Sequence, residues 1–366
     1  MSIENRIDEF SRGERAAVMS RRENGGLVAG YFSTQFPAEI LAGFGLHPVR
    51  LAEGAFFDAE RNGEKLVRPD ACSYCKSLVG NFNSKSGLFG AVDIIVGVIT
   101  CDMMRRTLEV LDKESGIPVF QLQMPATRSR NAEEYFISEV ERTAKDIRAF
   151  LGIRFDCGKA HSFFNARKTC VGILDDIVCN GKLTAVLSHR LLHLFNVARP
   201  EKLELFLKSL KPELKPRKSK HRILVAGSIL CLEDDLVYRI LQENGAGVVP
   251  MGISENALTE FYRGAKLKAN TEKRMISELA ANSFKSDICI RQRPNFPAYE
   301  KIKDAVASEE CDGVILKCMK FCDIWYSEKE RMKQELDVPL LVLDTTYSGS
   351  EEERIRNRME AFLEML

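Results

Sequence analysis

Residues 91–111 read AVDIIVGVITCDMMRRTLEVL and join two different kinds of sequence. Residues 91–99 are rich in valine and isoleucine, which is typical of a buried β-strand. Residues 102–111 predict a helix that begins directly after Cys101. A strand followed at once by a helix is the repeating unit of a parallel α/β sheet. The segment therefore predicts an α/β fold with Cys101 at the carboxyl end of a strand.

The same strand and helix pattern occurs along the rest of the chain, so we predict two parallel sheets. In the first half, strands are predicted at residues 27–32, 47–51, 91–99 and 117–122. In the second half, they are predicted at residues 222–226, 247–250, 313–316 and 338–343. Helices are predicted at residues 37–42, 131–151, 232–244 and 351–366. No internal repeat is visible in the residues themselves.

A basic segment with two prolines, residues 211–221, separates the two predicted sheets and has the character of a linker. We therefore predict an N-terminal helix over residues 1–25. An α/β domain with a helical insertion follows over residues 26–215, and a second α/β domain over residues 216–366. Because open parallel sheets bind ligands beyond the carboxyl ends of their strands, we expect the functional site in a cleft between the domains.

The composition excludes several classes of protein. Hydrophobic residues make up 45% of the chain and charged residues 29%, which fits a folded globular protein rather than a disordered one. The net charge is only +1, which argues against a general nucleic-acid or membrane-surface binder. No apolar stretch is long enough to span a membrane. The first 25 residues lack the apolar core of a secretory signal, so we expect a cytoplasmic protein.

The chain has 11 cysteines, an odd number that argues against a secreted disulfide scaffold. Three groups follow predicted strands or lie in loops, and they could meet in the cleft. Their chemistry stays open at this point: an iron–sulfur cluster, a zinc site or unligated thiols would each fit. A zinc site built from a CxxC and a CxxxC pair would leave Cys101 without a role. The three groups are Cys72 with Cys75, Cys101, and Cys318 with Cys322.

The wider sequence around these cysteines resembles the 2-hydroxyacyl-CoA dehydratase family. That family includes the benzoyl-CoA reductase subunits and the double-cubane cluster proteins. The resemblance runs in order from about Gly30 to Leu366 and is weak over residues 152–210. It is carried by the blocks GYFSTQFPAEILAGFGLHPVRL, CSYCKS, ITCDMMRR, CDGVILKCMKFCD and VPLLVLDTTYSGSEEERIRNRMEAFLEML.

The resemblance implies two Rossmann-like domains with an iron–sulfur cluster in the cleft between them. It also implies a separate activator protein that carries its own cluster, hydrolyses ATP and supplies low-potential electrons. This chain has neither a GxxxxGK[ST] loop nor a GxGxxG turn after a predicted strand, in keeping with ATP hydrolysis elsewhere. In the dehydratases three cysteines hold one [4Fe-4S] cluster with an iron open to substrate. The matching positions are Cys72, Cys101 and Cys322.

Two additional cysteines distinguish this chain from the three-cysteine pattern. Cys75 and Cys318 add thiols to the same loops, as two linked cubanes would need. By resemblance to the double-cubane proteins, we expect an [8Fe-9S] cluster in an ATP-dependent reductase of small molecules. The alternative is a dehydratase (or benzoyl-CoA reductase) subunit with one [4Fe-4S] cluster. We choose Cys289 as the sixth ligand, with Cys231 as the second choice.

Two polar residues follow the first two predicted strands and are candidate catalytic groups. Ser33 could hydrogen-bond a substrate, although serine after a strand is more often a helix cap. Glu53 could act as an acid or base near the cluster, although a solvated glutamate is the commoner situation. His189 and His193 share a helical face, but no third ligand supports a metal there. We expect a homodimer, because a two-fold activator would dock on a two-fold partner.

Overall fold

The computed structural model describes residues 1–249, 260–286, 288–347 and 351–366, and contains two four-stranded parallel sheets. The first sheet has the strand order β2-β1-β3-β4. Its strands are β1 (Val28–Tyr31), β2 (His47–Arg50), β3 (Ile94–Ile99) and β4 (Val119–Gln123). All pairs are parallel, and the strand predicted at residues 91–99 becomes the central β3.

The second sheet has the order β6-β5-β7-β8, the same arrangement as the first. Its strands are β5 (Arg222–Gly227), β6 (Gly247–Val249), β7 (Gly313–Met319) and β8 (Leu340–Thr345). The predicted α/β class with two parallel sheets is confirmed. The two halves therefore repeat a topology that the residues do not reveal. Pro250, the last residue of one predicted strand, lies outside the described residues.

Helices cover the faces of both sheets and fill the segment between them. The helices that precede or accompany the first sheet are α1 (Ile3–Met19), α2 (Glu39–Gly43), α3 (Phe57–Gly63), α4 (Ser73–Ser84), α5 (Asp102–Glu114) and α6 (Arg130–Leu151). The segment without predicted strands forms α7 (Cys157–Val178), α8 (Ala185–Val197) and α9 (Pro200–Leu210). The remaining helices are α10 (Asp235–Glu243), α11 (Glu260–Gly264), α12 (Glu272–Ser286), α13 (Phe296–Ser308), α14 (Asp323–Tyr326), α15 (Lys329–Glu335) and α16 (Glu352–Met365).

The long helix α6 shows how local sequence sets the boundaries of an element. The Ser129 hydroxyl accepts a hydrogen bond from the Ala132 amide at 3.2 Å, which caps the first turn. Gly152 ends the helix with a φ of 66°, a left-handed conformation that glycine adopts without steric cost. Between these ends Phe136 and Val140 are fully buried against the core. Among the described residues, no helix combines the length and the apolar character needed to cross a bilayer.

Two helices that follow the predicted linker belong to the core of the first half. Phe261 and Tyr262 of α11, and Leu279 and Phe284 of α12, are buried together with side chains of α6 and α7. The chain therefore returns from the second sheet to the first before it completes the second. The domain boundary predicted at residue 215 stays a prediction. The helices α11 and α12 follow that boundary in the sequence but pack against the first half of the molecule.

A close crossing of α3 and α4 supports the start of α4, where two of the predicted ligands lie. A Cβ atom on Gly80 would lie 1.9 Å from the carbonyl oxygen of Ala59. A Cβ atom on Gly63 would lie 1.9 Å from the carbonyl oxygen of Lys76. Only glycine permits this backbone contact from both sides. The crossing therefore depends on the two glycines.

Replacing Gly80 by alanine is expected to lower the free energy of unfolding by about 3 kcal/mol, because backbone atoms must move to admit the methyl group. Gly172 in α7 is the matched control, since a Cβ there would meet nothing within 4 Å. Gly172→Ala is expected to raise stability by about 0.5–1 kcal/mol through helix propensity. Denaturant unfolding of the two variants measures both changes. Equal stabilities would contradict the crossing described here.

Candidate functional site

A cavity of about 100 Å³ lies at the carboxyl ends of the central strands, between the two sheets. One water molecule needs about 10–15 Å³ by the same measure, so the cavity has room for a group of several atoms. Its walls are mostly apolar and come from both halves of the molecule. Five cysteines line it, and we call it the cysteine cavity: Cys72, Cys75, Cys101, Cys289 and Cys322.

Three of these cysteines stand immediately before helices. Cys101 follows β3 and precedes α5, and its sulfur accepts a hydrogen bond from the Met104 amide at 3.3 Å. Cys72 has an extended backbone and precedes α4, with Cys75 in the first turn of that helix. Cys322 follows β7 and precedes the short α14. The starts of α4 and α5 bring positively polarised amide groups to the cavity, which favours negative charge on the sulfurs.

The side chains of Cys72 and Cys75 are hydrogen-bonded to each other. The pKa of Cys72 is lowered, chiefly by a hydrogen bond from the Cys75 thiol and against the opposing effect of burial. The same hydrogen bond, together with burial, raises the pKa of Cys75 well above its usual value. Cys72 is therefore the member of the pair that ionises first, and thiolate is the form that binds metals.

The sulfurs from the two halves of the molecule also influence one another. Burial, together with the charges of Cys72 and Cys322, raises the pKa of Cys101 to about 12. Burial and the charge of Cys72 likewise raise the pKa of Cys322, while a hydrogen bond with Ser228 opposes this. These sulfurs therefore face a common space. Several thiolates so close together would repel one another unless a positively charged group lay between them.

The remaining predicted ligand, Cys318, does not line the cysteine cavity. It is fully buried in β7, on the face that packs with Leu316, Trp325 and Met332. Burial raises its pKa to about 12, and the charge of Cys322 adds to the rise, so the two lie near each other. The structure therefore places five of the six predicted ligands around one cavity. The side chain of Cys318 lies instead in the hydrophobic core next to β7.

The other cysteines lie away from the cavity lining. Cys231, the second choice for sixth ligand, accepts a hydrogen bond from the Tyr347 hydroxyl at 3.4 Å. Cys311 is buried in the core under β7. The remaining three lie on α7 or at its end: Cys157, Cys170 and Cys179.

The two predicted catalytic residues have different positions. Ser33 lines the cysteine cavity, and its hydroxyl donates to the side chain of Gln35. Glu53 does not line the cavity, because it forms an ion pair with Arg15 of α1. The geometry therefore keeps Ser33 as a candidate and gives no support to Glu53 as an acid or base at the cysteines.

Comparison with known proteins identifies a family and a related protein. The sequence profile of 2-hydroxyglutaryl-CoA dehydratase, D-component, matches residues 33–366. The chain belongs to this family. It is also similar to YjiM of Escherichia coli (strain K12), provisionally named a dehydratase subunit, with 24% identity over 98% of this chain and 97% of YjiM. Membership of the dehydratase D-component family makes the chain a dehydratase-type enzyme component and implies an activator partner.

Some residues of the cavity wall of this D-component family member were not predicted from the sequence. Ser228 follows β5 directly, and its hydroxyl accepts a hydrogen bond from the Met319 amide at 3.0 Å. Thr100 follows β3 in the same way. Both stand at the carboxyl ends of parallel strands, so the rule that placed Cys101 would also have found them. Tyr74, by contrast, is brought in by the turn of α4 and has no such signal.

Proposed function

We propose that the cysteine cavity of this dehydratase-family chain holds an iron–sulfur cluster at which a small substrate is reduced. The observation that carries the proposal is the meeting of five cysteines from both halves of the molecule in one apolar cavity. Thiolates are the usual ligands of iron–sulfur clusters. Such a cluster, when bound, supplies one-electron chemistry at low potential.

The donor set fits a cluster better than a single zinc ion. Zn–S bonds of about 2.3 Å would hold the sulfurs of one zinc site roughly 3.8 Å apart. In the part of the chain that the structure describes, no three His, Cys, Asp or Glu side chains are arranged to hold one metal ion. In a cluster each thiolate binds a different iron, so its ligands stand farther apart. Cys72, Cys101 and Cys322 are the three residues that would hold the first cubane.

The remaining wall residues control the environment of the cavity. Phe32, Met319 and Trp325 are nearly fully buried and exclude water from it. Exclusion of water strengthens every electrostatic interaction inside the cavity. The Ser33 hydroxyl is a polar group on this apolar wall and can orient an oxygen or nitrogen atom of a small substrate. These residues bind and orient the substrate while the cysteines hold the cluster.

The number of cysteines favours a double-cubane [8Fe-9S] cluster and an ATP-dependent reductase. Cys75 and Cys289 line the cavity in addition to the three that one cubane needs. A second candidate, a dehydratase subunit with a single [4Fe-4S] cluster, is favoured by the position of Cys318 behind the cavity wall. In both cases electrons would come from a separate ATP-hydrolysing iron–sulfur activator. A homodimer would suit a two-fold activator.

Iron and sulfide analysis of anaerobically purified protein tests the proposal. The double-cubane form predicts about eight irons per chain, and the single-cubane form predicts about four. Both forms predict a brown protein with an electron paramagnetic resonance signal after reduction. A colourless protein that contains zinc, or no metal, after strictly anaerobic preparation would contradict both.

A further inference from the structure

A second and smaller cavity lies beside the cysteine cavity, at the same end of β1. Its volume is about 20 Å³, room for one or two water-sized atoms. None of its lining residues lines the cysteine cavity, although Thr34 follows Ser33 directly. Its polar lining includes Tyr31, Thr34, Glu39, Arg50, Arg167 and Tyr262.

Three buried polar atoms at this cavity lack hydrogen-bond partners among the described residues: Glu39 Oε2, Arg167 Nε and Thr34 Oγ1. Glu39 is completely buried, and its other oxygen accepts a hydrogen bond from the Tyr262 hydroxyl at 2.5 Å. Arg167 is only 6% exposed, and its terminal nitrogens donate to the Tyr31 hydroxyl and the Phe195 carbonyl, both at 3.3 Å. Leaving a buried polar group unpaired is energetically costly, so three such atoms at one cavity point to a ligand that pairs with them.

The charges around the cavity select the kind of ligand. Two guanidinium groups, of Arg50 and Arg167, face one carboxyl group, that of Glu39. Burial raises the pKa of Glu39, against the opposing influence of Arg167 and Tyr262, which favours the neutral form that can donate a hydrogen bond. A cation would be repelled by the two guanidinium groups. An acceptor with negative charge would satisfy Arg167 Nε and the Thr34 hydroxyl together.

We propose that this cavity binds a carboxylate, whose oxygens accept hydrogen bonds from Arg167 Nε and the Thr34 hydroxyl. At about 20 Å³ the cavity has room for one or two oxygen atoms, so the planar end of a carboxylate fits it better than a tetrahedral oxyanion such as sulfate, which carries four oxygens. The ligand is a free small acid or the carboxylate end of a longer molecule. The site goes beyond the proposed function, because its residues need no cluster to bind the ligand.

Isothermal titration calorimetry of the purified full chain with acetate, glutarate and sulfate, in a chloride background, tests this inference. Acetate is expected to bind, and sulfate is not. Binding of glutarate as well would assign the site to the carboxylate end of a longer molecule, and binding of acetate alone would assign it to a free small acid.

Thr34→Val is the most informative variant, because it removes one donor at nearly constant volume. A hydrogen bond to a charged group is worth about 1.5–3 kcal/mol, so the variant is expected to bind at least about ten-fold more weakly. Arg167→Lys is expected to weaken binding as well. Thr143→Val is the matched control, since Thr143 is a buried threonine on α6 whose hydroxyl donates to the Glu139 carbonyl at 2.8 Å.

Three results would overturn the proposal. One is binding of acetate and glutarate that is no tighter than that of sulfate. Another is unchanged affinity in Thr34→Val when its melting temperature shows that it is folded. The third is a crystal structure grown in acetate that shows only water in the cavity. The iron content plays no part in these readouts, so failure here is distinguishable from failure of the proposed cluster.

Discussion

Replacing Cys101 and Cys322 together by serine is expected to leave less than about a tenth of the iron of the unmodified protein, because serine is a poor cluster ligand. The two residues come from different sheets and line the same cavity. Their removal takes a thiolate from each side of the proposed cluster. Anaerobic iron analysis and the amplitude of the electron paramagnetic resonance signal measure the loss.

The matched control for this experiment is Cys157→Ser. Cys157 is a partly exposed cysteine at the start of α7 and does not line the cysteine cavity. This variant is expected to keep its full iron content. If the double variant is folded and still holds as much iron as the control, the cluster does not depend on this cavity.

Cys75→Ser is expected to remove roughly half of the iron if two cubanes are present. Cys75 is buried beside Cys72 and lines the cavity, so the structure permits either a ligand or a packing role. Iron counting separates these roles, because a packing residue can be replaced without loss of metal. An iron content that stays near that of the unmodified protein would support a single cubane and exclude Cys75 as a ligand.

Much of the fold could be predicted because the strands are short apolar runs with helices between them. The prediction that Cys101 and Cys322 meet relied on two premises: each residue follows the carboxyl end of a parallel strand, where such sheets bind ligands, and the two sheets face each other across a cleft. The structure places both residues there. Cys72 was expected to join them from a loop, since no predicted strand precedes it directly, and the resemblance to a family added its role as a ligand.

The position of Cys318 shows where the residue spacing was misleading. Side chains alternate between the two faces of a strand, so neighbours in β7 point in opposite directions. Met319 reaches the cysteine cavity, whereas Cys318 points into the core with Leu316. The prediction treated Cys318 and Cys322 as a pair in one loop, but the strand continues through Met319.

Long-range contacts away from the strand ends could not be predicted. Glu53 follows a predicted strand, as a catalytic residue often does, but Arg15 on α1 neutralises it outside the cavity. Likewise, the second cavity joins Glu39 and Arg167 with Tyr262, which lie far apart in the sequence. Such pairs depend on tertiary packing that a single sequence does not specify.

Anomalous diffraction at the iron edge, from crystals of anaerobically purified protein, tests the central claim most directly. The claim is that cysteines from both halves of the molecule hold one iron–sulfur cluster. The account predicts an iron peak inside the cysteine cavity, bonded to Cys72, Cys101 and Cys322. Crystals of iron-loaded protein with no peak in that cavity, or with iron bound elsewhere, would contradict it.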